Sequence, residues 1–225
     1  MNKDTGQKSN PFQKKINSNL DFSPVSPSPQ SQGLGDKRVI DDKTILDKFV
    51  EDFCNIINNH VKYIVCSGFV AISHGRSRGT EDIDMIIEVI SKEKFIKLHE
   101  DLIKNGFICI QSDNPEDIYS RYLDKGDSIR YVWDKEGYFP PEMEIKFAKD
   151  ELDLEQLRTR TKLPLTGLDI YFSSIEDNIA FKEEWLKSDK DMEDAKHLRI
   201  IYEDSIDENK IKNIKEKIRR FRMGN

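Results

Sequence analysis

Cysteine is scarce: Cys54, Cys66 and Cys109 are the only three in 225 residues. Each lies in an apolar run, so they read as buried free thiols of a reducing compartment, which points to the cytoplasm. Their spacing suits no zinc site, nor does that of His60, His74, His99 and His197. No apolar stretch approaches about 20 residues, which excludes a membrane-spanning helix. The polar N-terminus predicts no signal peptide. Aromatic residues are nearly absent from the basic last segment, Asp207–Met223, where only Phe221 stands, so any nucleic-acid contact there would be electrostatic rather than stacking.

What is plentiful is charge, at 35% of residues with a net of −6. It is unevenly spread. Residues 1–40 carry six Lys and Arg against three acids, and residues 208–225 carry seven against two, leaving the body strongly acidic. Basic ends on an acidic body hint at a polyanionic partner held by the ends.

Residues 1–38 are rich in Ser, Pro, Gln, Asn and Lys, with SPVSPSPQSQGLG as the plainest low-complexity piece. Phe12, Leu20 and Phe22 are the only anchors there, so this segment is expected to be a disordered arm. From Asp41, apolar residues recur at helical spacing through Ile57, with Asp41 or Asp42 as N-cap. Tyr63–Cys66 reads as a strand, and Phe69–Ser73 as a turn of helix. A second apolar run is headed by Asp82 and Asp84. Ser91 caps a helix to about Asn105, ended by Gly106. Phe107–Gln111 is a short strand, and Asn114-Pro115 starts a helix to about Asp124. Ser128–Trp133 and Glu142–Ala148 read as strands about a Gly137–Pro141 turn. Asp150–Arg158 is a short helix. Leu163–Leu165 and Leu168–Phe172 are expected to form a hairpin through Thr166-Gly167. Ser174 caps a helix carrying Ile179, Phe181, Trp185 and Leu186, with Asp177 completing a capping-box-like pattern. Ile211, Ile214, Ile218 and Phe221 form the apolar stripe of a last helix over Asp207–Met223.

The stretch Tyr63–Val89 carries the chemistry. Strand side chains alternate faces, so Asp82 and Asp84 project together while Ile83 and Met85 enter the core. Two acids at a wet strand end are unremarkable in so charged a chain. Adjacent carboxylates nevertheless repel, and a hard divalent cation such as Mg²⁺ is their natural neutraliser. Gly68, at a strand-to-helix turn, lets backbone approach a ligand closely, and helix N-terminal amides attract anions.

Gly68, the intervening helix and loop, and this acid-apolar-acid strand together resemble the nucleotidyltransferase fold of the DNA polymerase β superfamily. SGFVAISHGRSRGTEDID is especially similar to its minimal and AbiEii-type branches, in which an Arg and a Ser or Thr precede the metal-binding pair; Arg78 and Thr80 fill those places. The family usually has Gly or Ser after the Gly, where this chain has Phe69, with Ser67 before. AFKEEWLKSDKDMEDAKHL resembles the C-terminal helices of the same branches, where a Lys precedes a K-D-x-x-D pattern. Lys182, Lys190, Asp191 and Asp194 match it.

The resemblance implies an α/β (α+β) fold, a small mixed sheet flanked by helices. It divides the chain into a core at 39–172 and a C-terminal helical segment at 173–225. It also implies a Mg²⁺-dependent transferase with an NTP as co-substrate. Asp82, Asp84 and a third carboxylate, Glu144 with Glu142 as rival, would form the metal and catalytic set. Ser67, Gly68, Arg78, Thr80, Lys182 and Asp191 would contact the nucleotide. RNA, protein and small molecules all stay open as acceptors, RNA contact through the basic last helix included. Two further readings stand beside this one: a toxin-like enzyme modifying tRNA or a protein, and a degenerate module that binds without catalysis.

Overall fold

The computed structural model describes residues 43–79, 82–134 and 141–224, all within one compact unit. The N-terminal arm, Asp41, Asp42, Thr80 and most of the Gly137–Pro141 turn lie outside the described residues.

The first helix, α1 (Ile45–Ile57), begins later than the sequence pattern implies. Its N-cap is Thr44, whose hydroxyl accepts from Asp47 N at 3.1 Å while Asp47 returns a bond to Thr44 N at 3.0 Å. This capping box satisfies two amides that Asp41 or Asp42 would sit too far upstream to reach. Its apolar face, Phe49, Val50, Phe53, Cys54 and Ile57, is buried.

Then come β1 (Tyr63–Cys66), α2 (Gly68–Ser73), β2 (Asp82–Ile87), α3 (Lys92–Lys104), β3 (Phe107–Cys109), α4 (Pro115–Arg121), β4 (Ile129–Trp133) and β5 (Glu142–Phe147). Caps at Ser91 and Asn114 start α3 and α4 as expected, each side chain accepting a bond from a first-turn amide. The sheet order is β1-β2-β5-β4-β3, with β2 and β5 parallel and every other pair antiparallel. The fold is therefore a mixed five-stranded sheet flanked by helices.

Period-two alternation gives the sheet two unlike faces. Tyr63, Val65, Ile83, Met85, Ile87, Met143, Ile145, Ile129 and Tyr131 enter the main core. On the opposite face Ile64, Ile86, Ala148 and Leu157 form a small second cluster beneath α5 (Glu151–Arg158). Phe69 belongs to the main core: it is fully buried and stacks on Phe172 with ring centroids 6.4 Å apart.

The expected hairpin at 163–172 does not form. Pro164 lacks the N–H a ladder needs, and Pro164–Thr166 is a 3₁₀ turn closed by Gly167 at φ +71°. The Thr166 hydroxyl donates to Leu163 O at 2.7 Å and accepts from Leu168 N at 3.1 Å. Phe172 instead bridges β1 at Val65 and the chain at Thr161. Beyond it, Ser174 caps α6 (Ile175–Phe181), which passes into a π-helical turn, Lys182–Leu186, rather than continuing as one α-helix. The chain ends with α7 (Asp189–Ile201) and α8 (Glu208–Gly224), whose Ile211, Ile214 and Ile218 are buried as the stripe predicts. No helix among the described residues is long and apolar enough to cross a membrane. The three cysteines are free, Cys54 and Cys109 buried and Cys66 partly so.

Since Phe69 is core, Phe69→Ala is expected to cost about 3–5 kcal/mol of stability. Equilibrium urea unfolding measures this, and a loss below about 1 kcal/mol would contradict the packing.

Candidate active site

Strand register builds the acidic face. Asp82 pairs with Glu142 and Asp84 with Glu144 across parallel β2 and β5. Cys66 of β1 lies opposite Asp84 on the other side. Both aspartates are half-buried. Burial pushes the Asp84 carboxyl above its ordinary value; a hydrogen bond from Ser67 opposes the rise, and Glu144 adds to it. A carboxylate in this setting gains by meeting a cation.

The third acid is placed differently from the expected metal set. Arg130, on β4 directly across from Glu144, donates from Nε to Glu144 Oε2 at 3.0 Å, with Glu142 Oε2 at 3.7 Å. Among the described residues no three His, Cys, Asp or Glu side chains stand together as a ready-made metal group. The trio Asp82, Asp84 and Glu144 shares one face, and a guanidinium one strand over pairs with the glutamate. The donors themselves suit Mg²⁺: they are hard carboxylate oxygens, two of them from one strand.

The turn beside this face is built from the small pair Ser67–Gly68. Ser67 sits at φ 63°, ψ −131°, backbone that favours glycine and costs a serine on the order of 1–3 kcal/mol. Its hydroxyl reaches Asp84, so the strained residue binds the acid that the turn must face. The small residue missing after Gly68 is therefore supplied before it, and Phe69 points to the core. Gly68 opens α2 and is buried. A Cβ there would lie 3.0 Å from Arg78 Nη2 and 3.2 Å from its Cζ. The guanidinium lies against bare backbone that only glycine leaves clear.

Arg78 is held from the far side by α7. Asp194 is fully buried and accepts from Lys182 Nζ at 2.8 Å and from Arg78 Nη1, while Arg76 contacts its other oxygen. Lys182, only 1% exposed, is delivered by the π turn, a rare geometry frequent at functional sites. Burial pushes its ammonium below the ordinary value, with Asp191 opposing. Asp191 lies 3.6 Å from Lys182 Nζ, but its main duty is the α7 capping box with Ser188. Lys190 contributes its carbonyl, which accepts from Arg76 at 3.1 Å. His74 braces the same junction: Nε2 meets the Tyr202 hydroxyl at 2.7 Å and Nδ1 meets Val70 O at 2.6 Å.

Ser67, Gly68, Asp84, Arg78 and Lys182 are thus brought together, Asp82 and Glu144 share the adjoining face, Asp191 sits at the edge, and Thr80 lies outside the described residues. Sequence reasoning missed Arg130 and Arg76. Arg76 carried a signal, the doubled Arg of HGRSRG; Arg130 carried none beyond its place on a strand.

The basic last helix spends its charge inside the chain. Lys210 pairs with Glu176, Lys215 with Glu183, Lys217 with Glu155 and Arg219 with Glu184, while Arg222 stacks over Trp185 at 4.5 Å. Its cations dock α8 onto α5, α6 and the π turn.

Asp194→Ala is expected to cost about 3–5 kcal/mol, because it leaves Lys182 buried without its closest counter-ion. Adding Lys182→Met should restore a large part of that loss in urea unfolding. A near-neutral single mutant would show that the network does not hold the site together.

No family model matches the chain, and no curated protein does. Among solved structures it is similar to the antibiotic-resistance factor ANT(2'')-Ia, at 12% identity over 80% of this chain and 94% of that chain with a TM-score of 0.47. It is also similar to an antigenic nucleotidyltransferase-like protein from Paracoccidioides brasiliensis, at 17% identity over 80% of this chain and 89% of that chain with a TM-score of 0.45.

Proposed function

We propose that this protein is a nucleotidyltransferase that moves a nucleoside monophosphate from an NTP to a hydroxyl acceptor. The observation that carries the reading is the juxtaposition of Asp82 and Asp84, on one strand face, with the Ser67–Gly68 turn and the cations Arg78 and Lys182. Acidic side chains beside cations match a metal-bound polyphosphate, which is negative itself yet carries positive ions.

Asp82 and Asp84 are the residues that would hold Mg²⁺. When bound, the ion supplies Lewis-acid polarisation of the α-phosphate and neutralises charge on the leaving group. The chain's own part is positioning and electrostatics. Gly68, bare of a side chain, admits the phosphates to the turn. Arg78 and Lys182 face the charge that builds on the departing pyrophosphate. In the transfer, the acceptor oxygen bonds to the α-phosphorus as the bond to the β-phosphate bridging oxygen breaks. Pyrophosphate leaves, and the hydroxyl proton passes to a carboxylate on the acidic face. Glu144 is suited to that last task, since Arg130 holds it in place. Because α8 uses its cations for docking, this reading does not rely on an RNA grip through that helix.

Incubation with [α-³²P]NTP, Mg²⁺ and a mixture of total RNA and lysate proteins should label an acceptor with the wild type. Asp82→Asn/Asp84→Asn should reduce labelling to background. Equal labelling by the two proteins would sink the proposal.

A further inference from the structure

Next to the acidic face lies a cavity of about 180 Å³, room for far more than one water. Asp84 and Ser67 form one end of it, α5 contributes Leu152 and Gln156, and Phe181, Lys182 and Trp185 close the other side. Gln156 is only 5% exposed, yet its side-chain amide has no hydrogen-bond partner among the described residues. An amide that opens on a cavity and is answered by nothing in the protein is free to meet a ligand. Lys146 and Lys149 line the same cavity and make no direct ion pair among the described residues. That sets them apart from Lys182, Lys210, Lys215 and Lys217, all of which are paired.

Apolar side chains, Leu152, Phe181 and Trp185, line the cavity together with these polar groups. A planar, nitrogen-rich ring fits that pairing: aromatic and aliphatic surface for its face, an amide for its edge, and cations for phosphate or ribose oxygens. An amide offers one donor and one acceptor side by side. Adenine presents the complement, an exocyclic amino donor beside a ring-nitrogen acceptor, and Gln is its usual bidentate partner. The N7/O6 edge of guanine is all acceptor and suits an amide less well than the N6/N7 edge of adenine.

We infer that this cavity receives the base of the donor nucleotide and that Gln156 is the residue that makes the protein select adenine. The inference rests on the nucleotidyl-transfer reading, since it places the base beside Asp84 and the triphosphate at Ser67–Gly68.

Isothermal titration of the full-length protein with ATP, GTP, CTP, UTP and inorganic tripolyphosphate, each with Mg²⁺, tests it. ATP is expected to bind about tenfold or more tighter than GTP. Gln156→Leu should bring the two within about twofold while leaving tripolyphosphate affinity unchanged. Gln156→Glu, which keeps a polar group but cannot donate while ionised, should lose the same preference, and thermal melts of both variants confirm that they fold. Equal binding of all four NTPs by the wild type, a preference for GTP, or an ATP preference that survives both substitutions overturns the inference while leaving the transferase reading intact. Failure of every NTP and of tripolyphosphate to bind overturns both.

Discussion

A single buried carboxylate organises this molecule. Asp194 reaches from α7 to bind Lys182 on the preceding π turn and two arginines from the loop after α2. Removing it would strand three cations beside one another in a poorly solvated place, where like charges repel strongly. The C-terminal helices and the sheet are therefore coupled by more than apolar packing. The same contact that joins them also holds Arg78 across Gly68 and Lys182 beside the cavity next to the acidic face. Site geometry and attachment of the helices are one structural fact.

Around that centre, charge is segregated. Acids crowd one part of a sheet face, cations gather at the turn, both signs line the adjoining cavity, and α8 answers the acids of α5, α6 and the π turn. The net charge of −6 conceals this arrangement. An anionic ligand carrying divalent cations would meet both signs within one cleft, each where it is useful.

Much of this was legible in the sequence wherever the signal is local. Alternation of Asp82, Ile83, Asp84 and Met85, and of Glu142 to Phe147, showed both strands and the face their acids share. Ser91, Asn114, Asp150 and Ser174 marked their helices, because a cap bonds within two or three residues of itself. The failures lie where distant segments decide. Phe172 prefers a bridge to Val65 over a hairpin with its neighbours. Arg130 meets Glu144 only because β4 lies beside β5, and Arg76 meets Asp194 across 118 positions of chain by their numbering. Such pairings have no spacing to read. The π turn was hidden too, since its extra residue per turn looks like ordinary helix in a pattern of apolar positions.

The parallel register of β2 and β5 has one more implication. Sheet side chains alternate with a period of two, so a slip of β2 by a single residue would turn Asp82 and Asp84 into the apolar interior and expose Ile83 and Met85, and a slip of β5 would do the same to Glu142, Glu144, Met143 and Ile145. No near-miss pairing of these strands is tolerable. The acids of this face thereby act as proofreaders of assembly, rejecting the misaligned sheet.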